Sequence, residues 1–147
     1  MNKIDFVNSL IDEQKKVVKN IEDSASRYRI ASDLDENDSV DPEDLSHQEE
    51  AKEMQLRYEQ MAILSKTNLK HLTEYKNKNC TTIEGGAMIE TKEFYLYIGI
   101  SLPQFELNSK TVITVSEQAP IYDLIKDKSV GDTITIGSTK STILAIS

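Results

Sequence analysis

The chain has 147 residues and a formal net charge of -8, and 38% of its residues are hydrophobic, which is enough for one compact domain or two small units. This acidity argues against a protein whose own charge steers it to DNA or RNA. The longest uninterrupted apolar run, Tyr95–Ile98, is far shorter than the ~20 residues of a membrane-spanning helix, so we expect a cytoplasmic protein without a membrane segment.

The first half of the chain carries two long stretches with the spacing of amphipathic helices, and neither contains Gly or Pro. In the first stretch the apolar positions are Ile4, Val7, Ile11, Val18, Ile21, Ala25 and Tyr28, interrupted by Gln14. In the second they are Ala51, Met54, Tyr58, Met61, Leu64, Leu69 and Leu72. Two consecutive helices joined by a short loop pack antiparallel, so the sequence predicts a coiled-coil hairpin over residues 1–79.

An acidic segment, Ser32–Glu50, separates the two predicted helices and contains no Lys or Arg. Its nine carboxylates are Asp33, Asp35, Glu36, Asp38, Asp41, Glu43, Asp44, Glu49 and Glu50. The other 16 acidic residues of the chain nearly balance its 17 basic ones, so the net charge is concentrated here. We therefore expect the chemistry of the protein at the tip of the hairpin, about residues 32–46.

The pattern changes to β-structure after the polar segment Tyr75–Cys80. Strand patterns cover residues 81–83, 87–91, 93–102, 111–115, 133–136 and 142–146, with a turn at 137–140. Pro120 opens a short helix in which Ile121, Leu124 and Ile125 share a face. Residues 80–147 are therefore predicted to form a small domain with a mostly antiparallel sheet and one short helix, which makes the whole chain α+β.

Cys80 is the sole cysteine of the chain, and only two histidines accompany it. One cysteine cannot form an internal disulfide, and this set does not match the ligand spacing of a zinc site. We expect Cys80 to be a buried or linker thiol.

Two motifs resemble the Gre-type transcript cleavage factors of bacterial RNA polymerase, the GreA and GreB family. The tip motif of that family reads roughly GDLxEN, and this chain has SDLDEN at Ser32–Asn37. The second motif, an SP pair followed by a hydrophobic helix and GKKVGDxVxV, is similar to QAPIYDLIKDKSVGDTITI at Gln118–Ile136. The order and spacing of the two motifs fit over nearly the whole chain.

The resemblance implies an FKBP-like β domain that docks at the secondary channel of the polymerase while the hairpin passes down it. It implies a polymerase-binding surface around Ala119, Pro120, Ile121 and Tyr122. Two acids at the tip, at the positions of Asp33 and Glu36, would then help to hold a catalytic Mg²⁺ shared with the polymerase. The factor would stimulate the endonuclease activity of the polymerase on backtracked RNA and would not be an independent enzyme.

The register of the tip leaves a second acidic pair open, because an extra DSVDPEDL follows SDLDEN and Ser32 replaces the Gly of the motif. Aligning the second helix through Ala51–Gln55 makes Asp41 and Asp44 the equivalent acids. These two acids also suit a helix start, with Asp41 as N-cap and Pro42 as the first helical residue.

The helix dipole favours the first pair as the functional one. Asp33 and Glu36 follow the predicted carboxy end of the first helix, where the dipole disfavours acids, so helix stability does not explain them. A capping box of Ser46 and Glu49 offers a competing start for the second helix.

Other functions also fit this tip. One alternative is a secondary-channel-binding transcription regulator without cleavage activity, since the tip departs from the family motif. Another is a calcium-binding helical hairpin, although its loop lacks the usual Gly and the final Glu. The EF-hand ligand positions of that loop are Asp33, Asp35, Asn37, Ser39, Asp41 and Asp44. In either Gre-like case we expect a monomer that meets the RNA 3' end only indirectly and does not bind specific DNA sequences.

Overall fold

In a computed structural model, the chain forms two long packed helices followed by a six-stranded sheet and one short helix, which confirms the predicted α+β class. The structure describes residues 1–34 and 42–147, and for residues 31–34, 42, 44 and 45 it describes the backbone alone. The helices are α1 (Lys3–Leu34), α2 (Pro42–Tyr75) and α3 (Pro120–Ile125). The strands are β1 (Met88–Thr91), β2 (Phe94–Ile98), β3 (Phe105–Leu107), β4 (Lys110–Val115), β5 (Thr133–Ile136) and β6 (Thr139–Ile146).

Two ion pairs between α1 and α2 establish that these helices run antiparallel. Lys66 Nζ lies 2.7 Å from Glu22 Oε1, and Arg29 Nη2 lies 2.9 Å from Glu59 Oε1. The residue number falls along α2 as it rises along α1, as the predicted hairpin requires. None of the helices in the described residues has the length and apolar content that crossing a membrane requires.

The contacts divide the chain into two compact units. One consists of Met1–Ile11 and Lys70–Ser147, and the other of Asp12–Leu69. The first unit therefore contains the sheet, α3 and the outer ends of both long helices. Independent folding of residues 80–147, which the predicted domain boundary implies, stays a prediction.

The buried face of α2 differs from the predicted one. Met61 and Leu64, predicted as buried positions, are 43% and 63% exposed, whereas the side chains of Ala62 and Ser65 are buried. The partly buried Tyr58 is followed by Ala62 four residues later and by Ser65 three residues after that. Alternating spacings of four and three residues are typical of a coiled coil. Small residues at these positions allow the two helices to approach closely, and the larger neighbouring residues remain outside.

The start of α1 packs on the sheet through residues that the predicted pattern missed. Phe6 is fully buried, and its ring centroid lies 5.5 Å from that of Tyr95 and 6.4 Å from that of Tyr97. Ile4, predicted to be on the apolar face, is 41% exposed, and Gln14, predicted to interrupt that face, is buried. The apolar face of α1 therefore begins at Phe6.

The sheet has the strand order β3-β4-β2-β1-β6-β5. Only β2 and β4 pair in parallel, and the other neighbouring pairs are antiparallel, as predicted. Strand β2 is buried throughout because Phe6 covers one face and the core of the domain covers the other. That core contains Cys80, Ile83, Ala87, Ile89, Phe94, Leu96, Ile98, Val115, Ile125, Ile134 and Ile143.

Three predictions about the strands were wrong. Residues 81–83 form bends, because this short stretch has no strand partner, and β2 ends at Ile98 because Gly99 has a positive φ of 122°. Strand β3 follows Pro103 and was not predicted at all. It pairs with β4 through a two-residue turn at Asn108 and Ser109, whose φ values of 52° and 65° are typical of a tight hairpin.

Candidate functional site

Two of the four predicted acidic residues lie in described helix ends, one on each side of the connection between α1 and α2. Asp33 lies in the last turn of α1 and Asp44 in the first turn of α2, both described by their backbones alone. Glu36 and Asp41 lie outside the described residues. The two candidate pairs therefore each have one member at a helix end and one in the connecting segment 35–41.

The end of α1 corrects the sequence analysis for Asp33. Because α1 continues to Leu34, Asp33 is inside the helix and does not follow it. The last turn of α1 contains no basic residue, and the helix dipole disfavours an acid in that turn. Helix stability therefore does not explain an acid at position 33.

The start of α2 distinguishes the two predicted helix starts. The helix begins at Pro42 and not near Ser46, which suits a residue without a backbone N–H group. Asp44 then lies within the first turn, where the helix dipole favours an acid. Asp44 thus has a structural reason for its identity that Asp33 lacks.

An aromatic pair joins the two helices on the tip side of the Glu22–Lys66 ion pair. The rings of Tyr28 and Tyr58 stack at a centroid distance of 5.5 Å and an angle of 15°. Neither ring is fully buried, and together with Ser24 and Arg27 they line a shallow cavity of about 260 Å³. The stack fixes the register of the hairpin close to its acidic end.

The basic residues near the tip are partly used within the chain itself. Arg29 bonds to Glu59, and Gln55 Nε2 also donates to that carboxylate at 3.1 Å. These two hydrogen bonds hold the pKa of Glu59 below its ordinary value. Arg27 Nη2 donates to Ser24 Oγ at 3.3 Å and remains exposed. Arg29 therefore stabilises the helix pair, whereas Arg27 is available to another molecule.

His47, within the acidic segment, is exposed. Its Nδ1 lies 3.8 Å from Glu50 Oε2, a distance too long for a strong interaction between two exposed groups. In the part of the chain that the structure describes, no group of three or more His, Cys, Asp or Glu side chains is close enough to hold a metal ion. The carboxylates of the candidate pairs are hard oxygen ligands of the type that Mg²⁺ prefers.

The predicted polymerase-binding residues lie at the start of α3. Ala119 precedes the helix with an extended backbone, and Pro120 is its first residue. Ala119, Ile121 and Tyr122 are partly buried against the core of the sheet, so each also has a structural role. These residues are consecutive in the chain and lie at the start of α3.

Leu124 is a further candidate for this surface that the sequence pattern missed. It was expected to share the apolar face of α3 with Ile121 and Ile125, but its side chain is 71% exposed while that of Ile125 is 3% exposed. Ile121 and Ile125, which are four positions apart in α3, both pack against the core, whereas Leu124 does not. An exposed leucine on the helix next to the predicted docking segment is a suitable contact for a partner protein.

No family model matches the sequence, and no curated protein matches it either.

Proposed function

We propose that the protein is a Gre-like transcription elongation factor that binds in the secondary channel of bacterial RNA polymerase and stimulates cleavage of backtracked RNA. The observation that carries this proposal is the acidic segment, which connects two long antiparallel helices in a chain that continues into a small β domain. A hairpin of this kind suits the delivery of carboxylates to a deep site on another protein. The protein would act in the cytoplasm as a monomer.

The helices are long enough for this role. Helix α1 has 32 residues and α2 has 34, so each spans roughly 50 Å at the ordinary rise per residue. The cross-helix ion pairs and the stacked tyrosines hold the two helices in register. A hairpin with this internal packing can carry an acidic tip without a second chain.

The chemistry proposed for the tip is assistance in metal binding. A divalent ion at the polymerase active site supplies an activated water molecule for hydrolysis of the RNA backbone. Asp33 and Glu36 would provide carboxylate oxygens to that ion, and the uncompensated position of Asp33 in the last turn of α1 supports this choice. Asp41 and Asp44 are the alternative pair.

Residues 119–122 and Leu124 would contact the polymerase. The core of a protein–protein interface is apolar, and Leu124 supplies an exposed apolar side chain next to residues 119–122. Packing of Ile121 and Tyr122 against the core would hold the contact surface in one conformation.

The second candidate function is a regulator that occupies the channel without promoting cleavage. The sequence DSVDPEDL, which follows SDLDEN, favours it, because extra residues between the motif and the second helix change what the tip presents. A blocker of this kind depends on shape and total charge more than on any two acids. The calcium-binding hairpin remains a third candidate, and most of its ligand positions lie outside the described residues.

The test is RNA cleavage in a stalled, backtracked polymerase complex with two matched double variants. Asp33→Asn with Glu36→Gln and Asp41→Asn with Asp44→Asn each remove two negative charges, so the variants differ in position and not in charge. We expect the first variant to lose cleavage by on the order of 100-fold with polymerase binding retained, and the second to remain active.

The other outcomes separate the candidates. Selective loss in the second variant would move the metal-binding role to Asp41 and Asp44. Binding without cleavage by the unmodified protein would favour the channel-occupying regulator. If the unmodified protein does not bind polymerase, the proposed function is wrong.

A further inference from the structure

The sole cysteine of the chain lies beside a lysine that is distant in sequence. Lys3 Nζ, at the start of α1, is 3.9 Å from the Sγ atom of Cys80, and the two residues are 77 positions apart. The same amine donates a hydrogen bond to the backbone carbonyl of Lys78, which keeps it near the sulfur. Cys80 itself is 3% exposed. The amine and the thiol are thus held together in a largely buried environment.

A third group at this location lacks a partner. Tyr97 is completely buried, and its hydroxyl has no hydrogen-bond partner among the described residues. Burial raises the pKa of Tyr97, and the nearby Cys80 raises it further, so the hydroxyl stays protonated. A buried O–H donor without an acceptor is unusual in a folded protein.

We propose that Lys3 and Cys80 form a covalent sulfur–nitrogen link when the protein is exposed to hydrogen peroxide. The site is the pair of Lys3 and Cys80, and the co-reactant is a small peroxide. This inference does not depend on the proposed function in transcription.

The link forms in two balanced steps. In the first, the thiolate of Cys80 attacks peroxide, the O–O bond breaks, and the sulfur becomes a sulfenic acid while hydroxide leaves and takes up the thiol proton as water. In the second, the neutral amine of Lys3 attacks the sulfur, the S–N bond forms and the S–O bond breaks, and the departing hydroxide and an amine proton give a second water. The chain loses two hydrogen atoms in total.

The surroundings favour the second step more than the first. Burial lowers the pKa of the Lys3 amine, which increases the fraction of the neutral nucleophile. Burial also raises the pKa of the Cys80 thiol, and the neighbouring Glu84 carboxylate acts in the same direction, whereas the positive charges of Lys3 and Lys78 oppose it. Sulfenic acid formation is therefore slow at neutral pH and accelerates as the pH rises.

The experiment treats the purified full chain with excess hydrogen peroxide and measures its intact mass without reducing agent. We expect a product lighter by two hydrogen atoms, with peptide mapping that joins Lys3 to Cys80 and with reversal by dithiothreitol. Closing a loop of this length should raise Tm by on the order of 10 °C.

Matched variants identify the groups involved. Lys3→Arg keeps the positive charge but removes the nucleophile, so Cys80 should gain oxygen atoms instead of forming the link. Lys78→Arg, at the other lysine near the thiol, should still form it.

Several results would overturn the proposal. The chain could keep its mass after treatment, or it could gain oxygen without losing hydrogen. The link could join Cys80 to a lysine other than Lys3, or the Lys3→Arg variant could form the same product as the unmodified protein.

Discussion

Gly99 occupies a position that excludes a side chain for two independent reasons. Its φ of 122° is strongly unfavourable for any other residue, and a Cβ atom there would lie 2.6 Å from Cε1 of His71. The His71 ring cannot move easily, because it packs 4.4 Å from the ring of Tyr75 and against the edge of Tyr97. The glycine therefore ends β2 and admits the histidine at the same point.

Replacement of this glycine tests both effects. We expect Gly99→Ala to lower the free energy of unfolding by about 2–4 kcal/mol, because backbone strain and the clash with His71 add. Gly137→Ala is the control, since Gly137 has a φ of 61° but a Cβ atom added there would meet no atom within 4 Å, and it should cost only about 1 kcal/mol. Urea denaturation measures the free energy of unfolding of both variants. Equal costs would show that the contact with His71 contributes nothing.

His71 makes the stability of its unit depend on pH. Burial holds the pKa of His71 below 6.5, and although Glu117 and Glu74 act in the opposite direction, the net shift is downward. The unfolded chain therefore binds more protons than the native state as the pH falls below the ordinary histidine range. The stabilisation that depends on neutral His71 is fully present above the pKa that His71 has in the unfolded chain. It is lost as the pH falls through the lower pKa of His71 in the folded protein.

Lowering the pH should therefore destabilise the unit that contains His71. The free energy of unfolding should decrease as the pH is lowered from about 7.5 to about 5.5, and His71→Gln should flatten that dependence. His47→Gln is the control, because His47 is exposed and should leave the slope unchanged. Urea titrations at several pH values provide the measurement. An equal slope in His71→Gln would assign the pH dependence to other groups.

At the scale of single elements, α3 illustrates how a short helix divides its apolar residues. Ile125 is buried, while Leu124, next to it in sequence, is 71% exposed. Neighbouring residues are about 100° apart around a helix, and the core lies on the side of Ile125. The leucine that remains outside is then free to contact a partner.

A substitution in α3 tests the proposed docking surface. Leu124→Ala should weaken binding to RNA polymerase by about 10-fold, because truncation removes apolar area that the complex would bury. Leu144→Ala, at a leucine of β6 that is 52% exposed, is the matched control and should not change the affinity. Both variants should fold normally, since neither side chain is buried. Unchanged affinity in Leu124→Ala would remove α3 from the contact.

At the scale of the whole molecule, the proposed function requires the tip to reach a distant site. The length of the hairpin can be changed without altering its packing pattern, because a coiled-coil seam repeats every seven residues. The antiparallel register pairs Glu22 with Lys66, so matched segments can be removed from the two helices. Such a pair is Asn20–Ser26 with Met61–Thr67.

Deletion of these two segments should shorten the hairpin by about 10 Å. We expect the shortened protein to bind polymerase through its β domain but to lose stimulation of RNA cleavage. Circular dichroism would verify that the remaining helices form. Cleavage at the original rate would contradict a mechanism in which the tip acts at the polymerase active site.

The sequence by itself determined the types of secondary structure and most of their positions. Helical and strand periodicities are local properties, so the two long helices, α3 and most strands could be predicted from spacing. The concentration of acids between the long helices is also a property of sequence alone. The segment 105–107 escaped prediction because three residues are too few to reveal a period, and β3 forms through its pairing with β4.

Only the tertiary structure decided which residues meet. The rotation of α2 about its own axis depends on its partner helix, so the spacing of apolar residues pointed to Met61 and Leu64 although Ala62 and Ser65 are buried. Neighbours that are far apart in the chain, such as Lys3 and Cys80, leave no local pattern. A sequence records the preferences of each segment, whereas a contact between segments depends on how the whole chain packs.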